Sequence, residues 1–429
     1  MSIATATLLS QNKQQNSQVL DFDIIEIDKS NSIYYSFDNT APVISMDIAF
    51  KHAGYALDHK DKLGLTYVLL YLFKNSEIVP EPEELQNLVE QYGIKLEFNI
   101  DAENLYISIK SISSFKKQFM EILGYFLEPE FTNEKALKQA KENILEYHKI
   151  NQGNAHFMAG RALEEALFAD TDLAKNAYGN SKTMANIQLS DLTDLIHTRL
   201  TQKNINFAIS GDISKKDAVA LYHEISEGLN PRYDLSYKNY DMEYIKTDNN
   251  IKLEKEQVLI KTYIPSVPKS HNNFYKYYIA NYIIGGAGLN SILSQALRED
   301  AGLTYSVYSY FDIHNNFSVW LAEMSTDKKN YKKAITLLKE TLAKVANDGV
   351  TEEDLARAKK YLIGSYDIYF NTNEKVSSYL LDTKLRKVSP AIIKSRNKII
   401  TSYSLEEINA AIKKLIRTDE ISIITVGDI

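Results

Sequence analysis

The side chains that could do chemistry are telling mostly through their spacing. The eight histidines are His52, His59, His148, His156, His197, His223, His271 and His314. No two stand three or four residues apart, so no helix can aim a pair of imidazoles at one metal ion. The chain has no cysteine, which removes disulfides and thiolate chemistry and leaves His and carboxylates to hold any metal. Gly285-Gly286-Ala287-Gly288 is followed by no Gly-Lys-Ser/Thr and fits no G-x-G-x-x-G pattern, so it reads as a turn and not as a phosphate cradle. No G-x-S-x-G elbow is present. In residues 64–75, GLTYVLLYLFKN, Tyr67 and Tyr71 stand one helical turn apart on one face, with Leu70 beside them. Neither Tyr nor Leu is a usual zinc ligand. Glu146 is a lone carboxylate on a helix and reads as solvated. Arg298 and Tyr305 are two hydrogen-bond donors whose spacing alone carries little; by itself it reads as a helix-end arginine and a tyrosine packed in a strand. The four lysines of residues 326–333 read as a solvated helix start.

The elements that must position these residues alternate between strand and helix patterns. Residues 24–28, 32–37 and 43–51 read as strands, and 63–75 as a helix. Pro80-Glu81-Pro82-Glu83-Glu84 opens a further helix, with proline and acids in its first turn. A strand pair follows at 94–100 and 104–109, then helices at 115–126, 133–149 and 158–168. Residues 189–213 and 405–429 repeat each other without gaps. Leu189/Leu405, Ile196/Ile412, Ile205/Ile421 and the terminal Gly-Asp-Ile are identical. Each copy reads as an amphipathic helix and then a strand, and the offset is about half the chain. Gly64-Leu65 and Gly288-Leu289 echo each other ahead of helical runs. Together these matches predict two homologous α+β domains. The second begins with a strand at 257–263 and continues with helices at 274–284 and 289–300. Strands at 304–312 and 317–324 follow, then helices at 329–347, 352–370 and 375–386.

Composition sets outer bounds. The 429 residues exceed one ordinary core. With 44% apolar and 24% charged residues, the composition is that of a globular protein. A net charge of −7 argues against nucleic acid as the main partner. No apolar run approaches the eighteen or so residues of a membrane span. The first residues carry an Ala-x-Ala at Ala4 and Ala6 but no basic segment, and read as a flexible terminus ahead of a signal remnant.

Against this background, Leu297-Arg298-Glu299-Asp300-Ala301-Gly302-Leu303-Thr304-Tyr305-Ser306-Val307 resembles the Arg-Glu-x-x-Gly-Leu-x-Tyr-x-Val signature of the M16 (pitrilysin/insulinase-like) peptidases. The glycine-rich segment upstream and Gly349-Val350-Thr351-Glu352-Glu353-Asp354-Leu355 downstream resemble the same family, as do Gly54, Gly64-Leu65 and Gly211-Asp212 in the first half. The resemblance covers nearly the whole chain. It implies two M16/LuxS-like metallohydrolase-type α/β domains in tandem, α+β in class, forming half of a clamshell. The family's inverted zinc motif, H-x-x-E-H, falls on Tyr67, Leu70 and Tyr71, and its further glutamate ligand on Glu146. The zinc site is therefore expected to be degenerate, with no metal in this chain. The resemblance further implies that Arg298 and Tyr305 reach a substrate backbone. There a guanidinium can donate to a peptide carbonyl, and a phenol to the oxygen that turns negative in the tetrahedral intermediate. Gly285, Gly286 and Gly288 would form a loop near the substrate chamber.

The expected organisation is a flexible N-terminus (1–20), an M16-like N-terminal domain (21–230), a linker (231–249) and an M16-like C-terminal domain (250–429). The expected function is that of a non-catalytic, substrate-binding subunit of a heterodimeric M16-type zinc metallopeptidase. It would be inactive alone, and zinc would be expected in an H-x-x-E-H-bearing partner subunit. A catalytically inactive structural or peptide-binding homologue is the alternative. Peptide substrate is the other expected partner, with no nucleic acid and no membrane span. A bacterial source and a periplasmic location, ahead of a cytoplasmic one, complete the expectation.

Overall fold

The computed structural model describes residues 20–169, 171–231 and 244–429. Two mixed sheets organise it. The first has the order β1-β2-β6-β3-β5-β4, built from β1 (Asp23–Glu26), β2 (Ser32–Phe37), β3 (Val43–Lys51), β4 (Lys95–Ile100), β5 (Asn104–Ile112) and β6 (Ile205–Gly211). The second has the order β7-β11-β8-β10-β9. Its strands are β7 (Asp248–Ile251), β8 (Gln257–Ser266), β9 (Val307–Ile313), β10 (Ser318–Asp327) and β11 (Ser422–Val426).

The helices of the first half are α1 (Leu65–Lys74), α2 (Pro82–Gln91), α3 (Lys116–Leu127), α4 (Glu134–Asn151), α5 (Ala155–Leu167), α6 (Ser181–Ala185), α7 (Leu189–Arg199) and α8 (Lys215–Glu227). Those of the second are α9 (Phe274–Asn281), α10 (Ile292–Ser294), α11 (Tyr331–Asp348), α12 (Glu352–Tyr369), α13 (Asn373–Leu385), α14 (Pro390–Ser402) and α15 (Leu405–Leu415).

The sequence repeat is a repeat of topology. In each half a helix (α7 or α15) leads into a strand (β6 or β11) that inserts between two others. β6 runs parallel to β2 and antiparallel to β3, and β11 runs parallel to β7 and antiparallel to β8. The glycine that ends β6 has a physical reason. Gly211 has φ +131°, and a Cβ there would lie 2.1 Å from the Val43 carbonyl oxygen.

The inner strands β3, β6, β8, β10 and β11 are buried on both faces, so their apolar runs are nearly continuous. On β10, Trp320, Ala322 and Met324 face a core made with α9, α11 and α15, while Val319 and Leu321 face the opposite way. That second face is covered by α5, a helix of the first half, through Ala159, Ala162, Leu163 and Leu167. The exchange is reciprocal. The back of the first sheet, at Tyr34, Ala49 and Ala208, is covered by Val376, Leu380, Leu381 and Leu385 of α13. Each half thus closes the other's sheet, at roughly 1.5–3 kcal/mol per fully buried leucine.

Several elements differ from their expected extents. The polar stretch read as a linker ends in β7, held by parallel pairing with β11 and by Tyr244, whose hydroxyl bonds the Glu420 carbonyl and Ser422. The remainder of that stretch up to residue 243, and the flexible terminus up to residue 19, lie outside the described residues. The strand expected from 304 begins at Val307. Helix α14 was not anticipated, although Ser389-Pro390 is a normal helix start.

Candidate functional site

Two places carry the residues singled out by sequence. The first is the outer face of α1. Leu65, Val68, Leu69, Leu72 and Phe73 are buried against the first sheet. The 3.6-residue repeat therefore turns Tyr67, Leu70, Tyr71 and Lys74 together to the other side. They line a cleft of about 510 Å³ with Asn99, Ile100, Asn143, Ile144, Tyr147 and Tyr178. The Tyr67 hydroxyl donates to that of Tyr178 at 3.3 Å, with ring centroids 4.5 Å apart. The Tyr71 hydroxyl accepts from Asn143 Nδ2 at 2.7 Å. Burial first, and then the neighbouring Tyr178 phenol, hold the Tyr67 phenol far above the ordinary tyrosine range. It remains a neutral hydroxyl at any physiological pH.

This donor set does not fit zinc. It offers phenols, two amides and an ammonium, with no imidazole and no carboxylate among the described residues of the wall. Among the described residues no group of three or more His, Cys, Asp or Glu could hold a metal ion. Glu146 is exposed on α4 and does not line the cleft; the α4 residue that reaches Tyr71 is Asn143, three positions earlier. Nothing in the sequence pointed to Tyr178, which is far from α1 along the chain. Lys74 could have been found by carrying the helical period one turn further.

The second place is the segment before β9. Helix α9 passes without interruption into a π-helical turn, Tyr282–Gly286, so the helix runs two residues past Ile284 and breaks within the glycine-rich segment, at Ala287. Gly285 permits close approach to β9, where a Cβ would lie 2.5 Å from Ser309 Oγ. Asn281 Oδ1 secures this junction from inside. It accepts from Ser309 Oγ at 2.7 Å and from Trp320 Nε1 at 2.8 Å. Gly286 lies beside Asn281, and Gly288 opens a single 3₁₀ turn, Gly288–Asn290, that leaves Leu289 exposed.

Arg298 sits in a second π-helical turn, Gln295–Asp300, anchored by the fully buried Leu293 and Leu297. Such turns are rare and frequent at functional sites. The guanidinium is partly exposed, and Nε lies 3.3 Å from Glu299. Leu303 and Thr304 are buried, and the Thr304 hydroxyl contacts the carbonyls of Ser306 and Ser325. Tyr305, followed by the exposed Ser306 ahead of β9, turns outward. It is 83% exposed and makes no hydrogen bond or ring contact among the described residues. It does not pack in a strand.

The two places belong to different halves, and no described hydrogen bond or ring contact joins Arg298 or Tyr305 to the α1 cleft. A relay of contacts runs between their surroundings. Phe157 of α5 packs against Tyr178. Its neighbour His156 reaches Glu323 on β10 at 2.8 Å. Glu323 also binds Lys261 at 2.9 Å and accepts from Tyr308 at 2.8 Å. Burial pushes the Glu323 carboxyl up, but the Lys261 ammonium and these hydrogen bonds outweigh it and leave the group below the ordinary glutamate range.

The comparisons with known proteins agree with this geometry. The family profile described as "Peptidase M16 inactive domain" matches residues 186–362, which contain the glycine-rich segment, Arg298 and Tyr305. The chain is 25% identical over 363 residues to a protein of Helicobacter pylori named "Non-peptidase homolog YmxG", covering 82% of this chain and 80% of that one. It is 23% identical over 364 residues to the "Uncharacterized zinc protease YmxG" of Bacillus subtilis, with 83% and 86% covered. The structure of a peptidase M16 inactive domain from Pseudomonas fluorescens superposes with a TM-score of 0.88 at 19% identity, over 96% of this chain and 98% of the other. A protease structure from Helicobacter pylori gives 0.81 at 13% identity, over 96% and 100%. The two sheets therefore take the tandem M16-type α+β fold, and residues 186–362 match the profile of the M16 inactive domain.

Proposed function

We propose that the chain is the non-catalytic, substrate-binding subunit of a two-chain M16 zinc peptidase. A partner subunit with an intact H-x-x-E-H motif supplies zinc, water and base. This chain closes the chamber as the other half of a clamshell, and Arg298 and Tyr305 bind the peptide and stabilise the transition state. The observation that carries the reading is the pose of Tyr305. A large aromatic side chain stands out to solvent just after the buried Leu303 and Thr304 and has no hydrogen-bond or ring partner among the described residues. Exposed tyrosines with a free hydroxyl suit recognition, since one end is apolar and the other can donate. The erased donor set on α1 supports a division of labour, because the chemistry it lacks must come from another chain. Edge strand β4 adds backbone groups that an extended peptide could pair with.

A second reading, a peptide-binding or structural homologue with no peptidase partner, draws on the name of the Helicobacter relative, a non-peptidase homologue. Capture of the chain from its native cells separates the two. The split-enzyme reading expects an H-x-x-E-H chain to co-purify, with about one zinc per pair. Recovery of a zinc-free assembly that holds peptides without cutting them would establish the second.

A further inference from the structure

The α1 cleft has a chemistry of its own. Its walls are the rings of Tyr67, Tyr147 and Tyr178, with Leu70, Ile100 and Ile144 as the apolar floor. About 510 Å³ lies within the range of small-ligand sites. Tyr147 is 52% exposed, so an aromatic face stands open. The Tyr67 and Tyr71 hydroxyls are already engaged with Tyr178 and Asn143, and the Tyr178 ring is already packed by Tyr67 and His148, which leaves the open ring of Tyr147, the rim of Tyr178 and apolar carbons as the main contact surface. One charged group lines the cleft: Lys74, an exposed ammonium with no hydrogen bond or ion pair among the described residues. No carboxylate lines it. Tyrosine boxes can hold cations over their rings, but an ammonium in a cleft that no carboxylate lines, the acids Glu90 and Glu97 lying in the adjoining cleft, disfavours a second positive charge and favours a negative one.

We infer that this cleft is a recognition pocket for an aromatic side chain of a peptide that carries a carboxylate next to it, the ring lying against Tyr147 and Tyr178 and the carboxylate meeting Lys74. The inference rests on the peptide-binding part of the function proposed above. The carboxylate can come from the chain terminus or from an acidic residue that follows the aromatic one; the pocket chemistry is the same.

The test is calorimetric titration of the full chain with four short peptides. One ends in Phe with a free carboxylate, and one is its C-terminal amide. The third places Phe before Glu with an amidated end, and the fourth ends in Lys with a free carboxylate. The free Phe acid binds at least tenfold more tightly than its amide and than the Lys peptide. Equal binding of the Phe-Glu peptide assigns the carboxylate to either source, and its failure assigns it to the terminus. Tyr147→Ala and Lys74→Glu are surface substitutions that leave the fold intact. Each weakens the Phe acid at least tenfold, and Lys74→Glu leaves the amide unchanged. Equal affinity for acid and amide, indifference to both substitutions, or no saturable binding overturns the inference. Binding that responds only to Arg298→Ala or Tyr305→Phe would sink the pocket and leave the proposed function standing. The reverse pattern, with Arg298 and Tyr305 irrelevant to cleavage by the paired subunits, would sink the proposed function and keep the pocket.

Discussion

At the scale of single residues, the structure separates side chains held by their own chain from those exposed with no partner among the described residues. Glu323 is of the first kind. It is buried with Lys261 and receives Tyr308, so Glu323→Ala leaves a buried ammonium unpaired. The expected loss is about 3–5 kcal/mol, read as a lowered midpoint in urea. Its pH dependence follows from the carboxyl lying below its ordinary range. The contribution is complete above the ordinary glutamate value, about 4.3, and is lost as acid protonates the folded-state group. A Glu323→Gln protein should therefore show a flatter stability profile below pH 5 than the parent; an unchanged profile would contradict the assignment. Asn281 is of the same kind, accepting from Ser309 and from the single tryptophan, Trp320. Asn281→Ala strands both donors, at about 1–3 kcal/mol per buried unsatisfied group, and the fluorescence of Trp320 reports the change. Tyr305 is of the second kind. Tyr305→Phe should leave the unfolding midpoint unmoved, because the hydroxyl makes no hydrogen bond among the described residues.

At the scale of elements, what could be read from the sequence was what repeats with a short period or recurs between halves. The helix–strand pairs α7–β6 and α15–β11 were legible because apolar spacing and a terminal Gly-Asp recur. The face of α1 was legible because Tyr67, Leu70 and Tyr71 share one helical period. The partners of that face were not: Asn143 and Tyr178 meet it through the fold, and no local pattern marks them. Likewise the glycines of 285–288 marked the end of the helix, which comes at Gly286, but did not show that Gly285 serves contact with Ser309 on β9. Helix α14 carried a readable start at Pro390 and a buried face at Ile393, Arg396 and Ile400. Its polar residues between obscured the period. The exchange of α5 and α13 was also hidden, since an amphipathic helix does not say which sheet it covers. Leu380 of α13 is fully buried on the first sheet. Leu380→Ala should cost about 2–5 kcal/mol.

At the scale of the molecule, that exchange makes the two halves one cooperative body. Trp320 lies in the second half's core, yet its fluorescence should report the loss at Leu380 in the first sheet's cover. Coincident urea transitions by Trp320 fluorescence and circular dichroism are expected, both shifted by Leu380→Ala; two separate transitions would contradict the coupling. A pair of M16-type domains with no metal ligand set on the α1 face and an outward Tyr305 is consistent with the half-chamber proposed above. The most direct measurement is chelator-sensitive cleavage of an unstructured peptide by the chain mixed with its H-x-x-E-H partner, compared with Arg298→Ala and Tyr305→Phe. The account predicts that turnover falls by roughly 10²–10³ for loss of a transition-state donor while the pair still assembles. Undiminished cleavage by an intact pair carrying both substitutions would contradict it.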